Sequence, residues 1–187
     1  MLNKDEEAAY YRCRSFNYRH IYNKETCFFH PKDKNGKWIS PFDYRFSGGQ
    51  GAREYYGENN GWVYRWDVPH NIADLIELMN GKEQFVANLD QMFNESLGKS
   101  KFDFYSQLPD HTGNVGQFSM ANEPSLHIPY LYCYAGQPWK TQKYAAQVMH
   151  DLYFNAPAGL CGNEDCGQMS AWYVMSALGF FLSLIHI

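Results

Sequence analysis

The feature that most limits what this chain can fold into is a pair of apolar periods separated by one glycine. Ile72, Leu75, Ile76, Leu78 and Met79 recur at helical spacing behind Asn71, and Phe85, Val86, Leu89, Met92 and Phe93 do so again after Gly81. This spacing predicts helices over 72–80 and 83–97, and so short a connection makes them an antiparallel hairpin. Further helices are predicted over 6–22, 123–136, 138–154 and 168–184, with turn-rich stretches at 23–52 and 98–120. No run of alternating strands interrupts the order long loop, helix pair, long loop, helix pair. The expected fold is all-α, an array of antiparallel helix pairs whose long loops gather at one end. The loop at 23–52 carries Phe28, Phe29, Trp38, Phe42 and Phe46. That is too much apolar surface for a disordered segment, and it is expected to pack over the face that holds a site.

A length of 187 residues suits one domain with a substantial core. With 16 Lys+Arg against 20 Asp+Glu there is no broad basic footprint, which argues against a nucleic-acid partner. Cys13, Cys27, Cys133, Cys161 and Cys166 are too few and too irregular for a disulfide scaffold, and none forms a CxxC pair. The start, Met1-Leu2-Asn3-Lys4-Asp5-Glu6-Glu7, is polar and acidic, so an export signal would have to lie upstream. Residues 168–187 carry no Asp, Glu, Lys or Arg. Gln168, Ser170, Ser176, Ser183 and His186 interrupt them, and no basic flank follows. A buried core helix, not a membrane span, is the expected reading.

Three acidic clusters carry the chemistry. Gly162-Asn163-Glu164-Asp165-Cys166-Gly167 holds two acids between glycines immediately before an apolar run, a tight loop that opens a helix. Glu58 stands beside Trp62, Tyr64 and Trp66 in Glu58-Asn59-Asn60-Gly61-Trp62-Val63-Tyr64-Arg65-Trp66-Asp67-Val68-Pro69-His70, and Asn122-Glu123-Pro124-Ser125-Leu126-His127 begins another helix. Any one of these acids serves equally as a helix cap. Carboxylates on separate loops, flanked by rings that stack on a pyranose, are the equipment for cutting a glycosidic bond: one acid and one base.

At Gly162 to Val174, at Glu58 to His70, and at Asn122-Glu123-Pro124-Ser125 followed by Ala135-Gly136-Gln137-Pro138-Trp139-Lys140-Thr141, the chain resembles glycoside hydrolase family 92. Those enzymes are calcium-dependent, inverting exo-α-mannosidases, and the likeness runs in order from Tyr18 to Phe180. The resemblance implies that 1–187 is part of an (α/α)6-barrel catalytic domain, with the family's N-terminal β-sandwich absent. The last residues, 181–187, depart from the family pattern and read as a non-native tail.

Carried over, the resemblance implies that Glu58 is the general acid and Asp165 the general base, separated by roughly 6.5–9.5 Å so that a water fits between base and sugar. Trp62 and Trp66 are expected to desolvate Glu58 and so raise its pKa. The implied cofactor is Ca2+, bridging mannose O2 and O3, with Asn122 and Glu123 as candidate ligands. The implied partner is a mannose-containing glycan, with sugar contacts from Trp62, Trp66, His70, Glu123, His127, Asn163 and Glu164. Half-buried structural histidines, core tryptophans and an N-cap at Asn122 account for several of these equally well. Two positions depart from the family: Asn163 stands where many relatives carry an acid two residues before the base, and Val63 where Gln is frequent. The alternative is a non-catalytic carbohydrate-binding helical module or an inactive fragment. No membrane association is expected, and the resemblance implies a secreted or periplasmic location.

Overall fold

The computed structural model of the protein describes residues 4–46 and 54–181. Among them are eight α-helices: α1 (Asp5–Arg14), α2 (Gly61–Tyr64), α3 (Ile72–Leu78), α4 (Lys82–Asn94), α5 (Lys101–Gln107), α6 (Leu131–Tyr134), α7 (Pro138–Leu152) and α8 (Gln168–Ala177). Two antiparallel ribbons interrupt them, β1 (Tyr22–Asn23) with β2 (Phe28–Phe29) and β3 (Asn114–Val115) with β4 (Phe118–Ser119). Tyr22 pairs with Phe29 and Asn114 with Ser119. Ribbons this short form no sheet layer, so the fold is helix-rich as expected.

The α3–α4 hairpin forms where the apolar periods place it. The Asn71 side chain accepts from the Asp74 N–H and so caps α3, and Gly81, at φ 101°, turns the chain into α4. α4 buries Phe85, Val86, Leu89, Met92 and Phe93 on one face. Its partners are aromatic. Trp66 is wholly buried, edge-on to Phe85, and its indole N–H donates to Met92 Sδ at 3.0 Å. Phe93 stacks on Tyr144 of α7 at 4.0 Å, and Tyr144 on Tyr132 of α6 at 5.5 Å. Part of the aromatic content is therefore spent on the layer between α4, α6 and α7.

Three predicted helices are shorter or broken. The one over 6–22 stops at Arg14, because α1 has no buried residue to extend along. A 3-10 turn, Asn17–Ile21, follows. That turn is fixed by Arg19, whose Nε donates to Asp74 Oδ2 at 2.9 Å, and by the Tyr18 hydroxyl on the same carboxylate. The predicted 123–136 helix is two 3-10 turns, Glu123–Ser125 and Ile128–Tyr130, followed by α6. Pro129, well inside the predicted span, removes an N–H that a continuous helix would need. α8 ends at Ala177 and buries only Met169 and Trp172, leaving Tyr173, Val174 and Leu178 exposed. The fully buried core helix expected there is thus a helix packed on one side only. The stretch 98–120, predicted as loop, contains α5, capped by Ser100, and the β3–β4 ribbon.

The aromatic stretch after β1 packs down as expected. Phe28 stacks on Tyr44 at 4.0 Å, and the Tyr44 carbonyl accepts from the Gly61 N–H at 2.9 Å, which docks this segment on α2. The end of that stretch, 47–52, lies outside the described residues, as does 182–187 of the expected tail. Phe181 stacks on Tyr130 at 4.3 Å. Among the described residues no helix is long and apolar enough to cross a membrane, and all five cysteines are free thiols.

Candidate active site

Three loops meet around a cleft of about 450 Å³ lined by Glu58, Asp110, Thr112, Asn122, Glu123, Asn163 and Asp165. Glu58 precedes α2, and a buried network fixes the chain beneath it. Asn60 caps α2 by accepting from the Trp62 N–H at 3.0 Å, while its Nδ2 donates to the Arg45 carbonyl and to Gln117 Oε1, both at 3.0 Å. Gln117 in turn donates to the Ser96 carbonyl at 2.7 Å. The Glu58 N–H itself donates to the Tyr64 hydroxyl at 3.2 Å.

The second loop runs from Pro109 to Glu123 and is anchored by His111. This imidazole is wholly buried, with Nε2 hydrogen-bonded to the Gln117 carbonyl at 2.9 Å, and burial pushes its pKa down to about 4. His111 is neutral at physiological pH, holding Asp110 and Thr112 at the cleft wall. At the far end of this loop Asn122 faces two ways. Its Nδ2 donates to Glu58 Oε2 at 2.9 Å, and its Oδ1 accepts from the Glu123 N–H at 3.1 Å. One amide thereby orients the Glu58 carboxylate and starts the turn that presents Glu123.

The third loop carries Asp165 in a left-handed turn, with φ 45° at Asp165, 61° at Cys166 and 95° at Gly167. Asp tolerates this region better than most side chains, and such strain is found where a loop must present a group against its local preference. A close approach brings this loop to the second. A Cβ on Gly162 would lie 2.4 Å from the Ala121 carbonyl oxygen, so only glycine lets the two backbones touch. Thr112 Oγ1 donates to the Cys161 carbonyl at 3.1 Å beside that contact.

The electrostatics are acidic throughout. No Lys or Arg among the described residues lines the cleft. The Glu123 carboxyl is held above its ordinary pKa by its hydrogen bond with Asp165, then by partial burial and by the charges of Asp165 and Glu58. Such a cluster also attracts a hard cation. Among the described residues no three Asp, Glu, His or Cys side chains converge as metal ligands, so calcium would use a mixed oxygen set: the Glu123 carboxylate, the second lone pair of Asn122 Oδ1, and water. Oxygen donors without a nearby ammonium or guanidinium fit that ion.

Of the residues singled out in the sequence, Glu58, Asn122, Glu123, Asn163 and Asp165 share this cleft and five others do not. Trp66 is wholly buried and Trp62 nearly so, at 6 % exposure, both inside the core; neither can stack on a sugar, and they do not desolvate Glu58, which is exposed. His70 Nε2 bonds the Ser15 carbonyl at 2.9 Å, and His127 Nε2 the Trp66 carbonyl at 3.0 Å, both serving to hold backbone. Glu164 turns back on α8, where its Oε1 accepts from the Ser170 N–H at 3.3 Å. There it caps the first turn of the helix. Sequence reasoning missed Asp110 and Thr112, whose only signal was the polar run Pro109-Asp110-His111-Thr112-Gly113 inside an apparent loop.

Carboxyl groups from separate loops around one cleft, on a helix-rich frame, are the kind of arrangement that glycoside hydrolases use. The glycosyl hydrolase family 92 catalytic domain matches residues 1–184, and the chain belongs to that family. It is 30 % identical, over 164 residues, to an uncharacterized secreted glycosidase of Arthroderma benhamiae, a match covering 82 % of this chain and 18 % of that protein. Two solved structures from Bacteroides thetaiotaomicron are similar. One is a family 92 α-mannosidase in complex with mannoimidazole, at TM-score 0.82 and 33 % identity over 97 % of this chain and 24 % of that one. The other is a family 92 inverting mannosidase, at TM-score 0.73 and 38 % identity over 96 % and 24 %. The chain thus spans less than a fifth of the curated relative and about a quarter of each solved structure.

Proposed function

We propose that this chain is the acid- and base-bearing part of an (α/α)6-barrel α-mannosidase that cleaves terminal α-mannosidic linkages with inversion. The exposed apolar side of α8, with Tyr173, Val174 and Leu178, is a surface against which further barrel helices would pack. The observation that carries the reading is that one loop meets both carboxyls: Asn122 donates to Glu58, and its neighbour Glu123 lies against Asp165, which raises its pKa, in a cleft that all four line.

Glu58 gives its proton to the departing glycosidic oxygen. The Asn122 amide fixes the direction of the carboxyl and leaves Oε1 for that transfer. Asp165 takes a proton from the water that attacks the anomeric carbon from the opposite side, with the Glu123 carboxyl beside it in the same cleft. Asn163 is placed for a sugar hydroxyl. Calcium, when bound by Glu123 and Asn122, would grip vicinal hydroxyls and neutralise the acidic cluster. The similarity to a relative described as secreted supports a location outside the cytoplasm.

The test is turnover of an aryl α-mannoside and an α-mannobiose by the full-length protein carrying this segment. Glu58→Gln should stop mannobiose cleavage and Asp165→Asn should stop both; retained mannobiose turnover in either variant sinks the roles. A second reading, sugar binding without turnover, draws on Asn163 standing where many relatives carry an acid. It requires mannose to bind while the unmutated full-length protein hydrolyses neither substrate.

A further inference from the structure

Arg65, directly after α2, carries a buried charge that the proposed chemistry does not use. It is 1 % exposed, and its Nε and Nη1 have no hydrogen-bond partner among the described residues. The Phe28 ring lies 4.2 Å from the guanidinium, with the rings of Trp66 and Trp62 at 5.5 and 5.9 Å. Such rings offset part of the cost of burying a cation but leave its N–H groups unmet. Burial pulls the Arg65 pKa down to about 10, and Cys27 and then Tyr22 act against that shift. Tyr22 is itself buried, its hydroxyl has no partner, and its pKa is raised by burial and then by Cys27. Cys27 lies in the turn between β1 and β2, at φ 58°, with its N–H donating to the Asn23 carbonyl at 2.8 Å and its thiol half-buried. One thiol is thus met by a phenol and a guanidinium that both have unused hydrogen-bonding atoms.

We propose that Cys27 is a site of oxidation by hydroperoxides, with the oxygen added to its sulfur held by the Arg65 guanidinium and the Tyr22 hydroxyl. The sulfur attacks one peroxide oxygen. An S–O bond forms, the O–O bond breaks, sulfur gives up two electrons, and the thiol proton leaves with the other peroxide oxygen as water or alcohol. The added oxygen is an acceptor placed among buried donors that have none, and a bond from a guanidinium to such an oxygen is of the strong, charge-assisted kind. A second peroxide takes the sulfenic acid to a sulfinic acid, whose proton passes to solvent, so that an anion then faces Arg65. Exposure by itself favours other thiols, since Cys13, Cys133 and Cys166 are exposed and Cys27 is not. The site does not depend on the roles of Glu58 and Asp165.

The test exposes the full-length protein carrying this segment to limiting hydrogen peroxide and follows each cysteine by peptide mass, as sulfenic acid trapped with dimedone or as sulfinic acid. Cys27 should be oxidised about tenfold faster than Cys13, Cys133 or Cys166, the rate equivalent of one charge-assisted hydrogen bond. Cys161, also half-buried, is the internal control for burial and should be slow. In urea that unfolds the protein the five rates should converge, and Arg65→Met should remove the advantage of Cys27 in the folded protein. Oxidation of Cys27 no faster than that of the three exposed thiols overturns the proposal, and so does an advantage that survives in urea or in folded Arg65→Met. If Arg65→Met does not fold, Tyr22→Phe, which removes only the hydroxyl, takes its place: a several-fold slower oxidation of Cys27 sustains the site, and an unchanged rate overturns it.

Discussion

The two proposed catalytic carboxylates are held by opposite means. Glu58 stands at the end of a buried polar network in which Asn60, Gln117 and the Ser96 carbonyl are all engaged, and its side chain is gripped by Asn122. Asp165 sits exposed on three successive left-handed residues, ahead of a helix that buries two side chains. The acid is thus positioned by packing beneath it. The base is positioned by backbone geometry and by a neighbouring carboxyl. A proton donor must meet one oxygen at one angle, whereas a base must admit water, and a rigid floor under the first with an open turn under the second serves both needs.

The largest effects should come from the carboxylates themselves. In the full-length protein, Asp165→Asn should lower kcat about 10²–10⁴-fold for every leaving group, while Glu58→Gln should do so for mannobiose and far less for mannosyl fluoride, as rates across a leaving-group series would report. Equal losses on both substrates in Glu58→Gln would remove the distinction between acid and base.

Next comes the pH dependence of the loop beneath Glu58. His111 takes a proton near pH 6.5 when unfolded but only near 4 when folded, so the unfolded state binds more protons across that window. Stability should fall as pH drops from 6.5 to 4, by up to about 3 kcal/mol, and this contribution should be constant above pH 6.5. Urea melts at several pH values would read it, and His111→Gln should flatten the slope.

A smaller difference separates the two supports. Asn60→Ala removes a cap and two buried hydrogen bonds and should cost about 2 kcal/mol in thermal or urea unfolding. Glu164→Ala should cost under about 1 kcal/mol, because it removes one long cap bond and also relieves a buried Oε2 without a partner. A Glu164 variant as unstable as the Asn60 variant would mean that the base loop is as deeply anchored as the acid loop.

Much of this was legible in the sequence where the cause is local. The α3–α4 hairpin follows from Asn71, Gly81 and ten apolar side chains within a short span. The break at 123–136 was written in Pro129, although a helix was expected through it. The tryptophans beside Glu58 misled, because adjacency in a helix-forming segment does not fix direction: Trp62 and Trp66 turn to the core while Glu58 stays out. Glu164 misled for a related reason, since a carboxylate one residue from the proposed base turned out to cap α8.

The sequence by itself determined the helical class, most helix starts and stops, and the three clusters from which the site is drawn, because spacing, capping and proline act over three or four residues. Only the tertiary structure decided which carboxyls share a cleft. That depends on contacts between segments distant in the chain: Gly162 against Ala121, Asn122 on Glu58, and Asn60 on Gln117. No local pattern records which of several acids such contacts will turn toward one another.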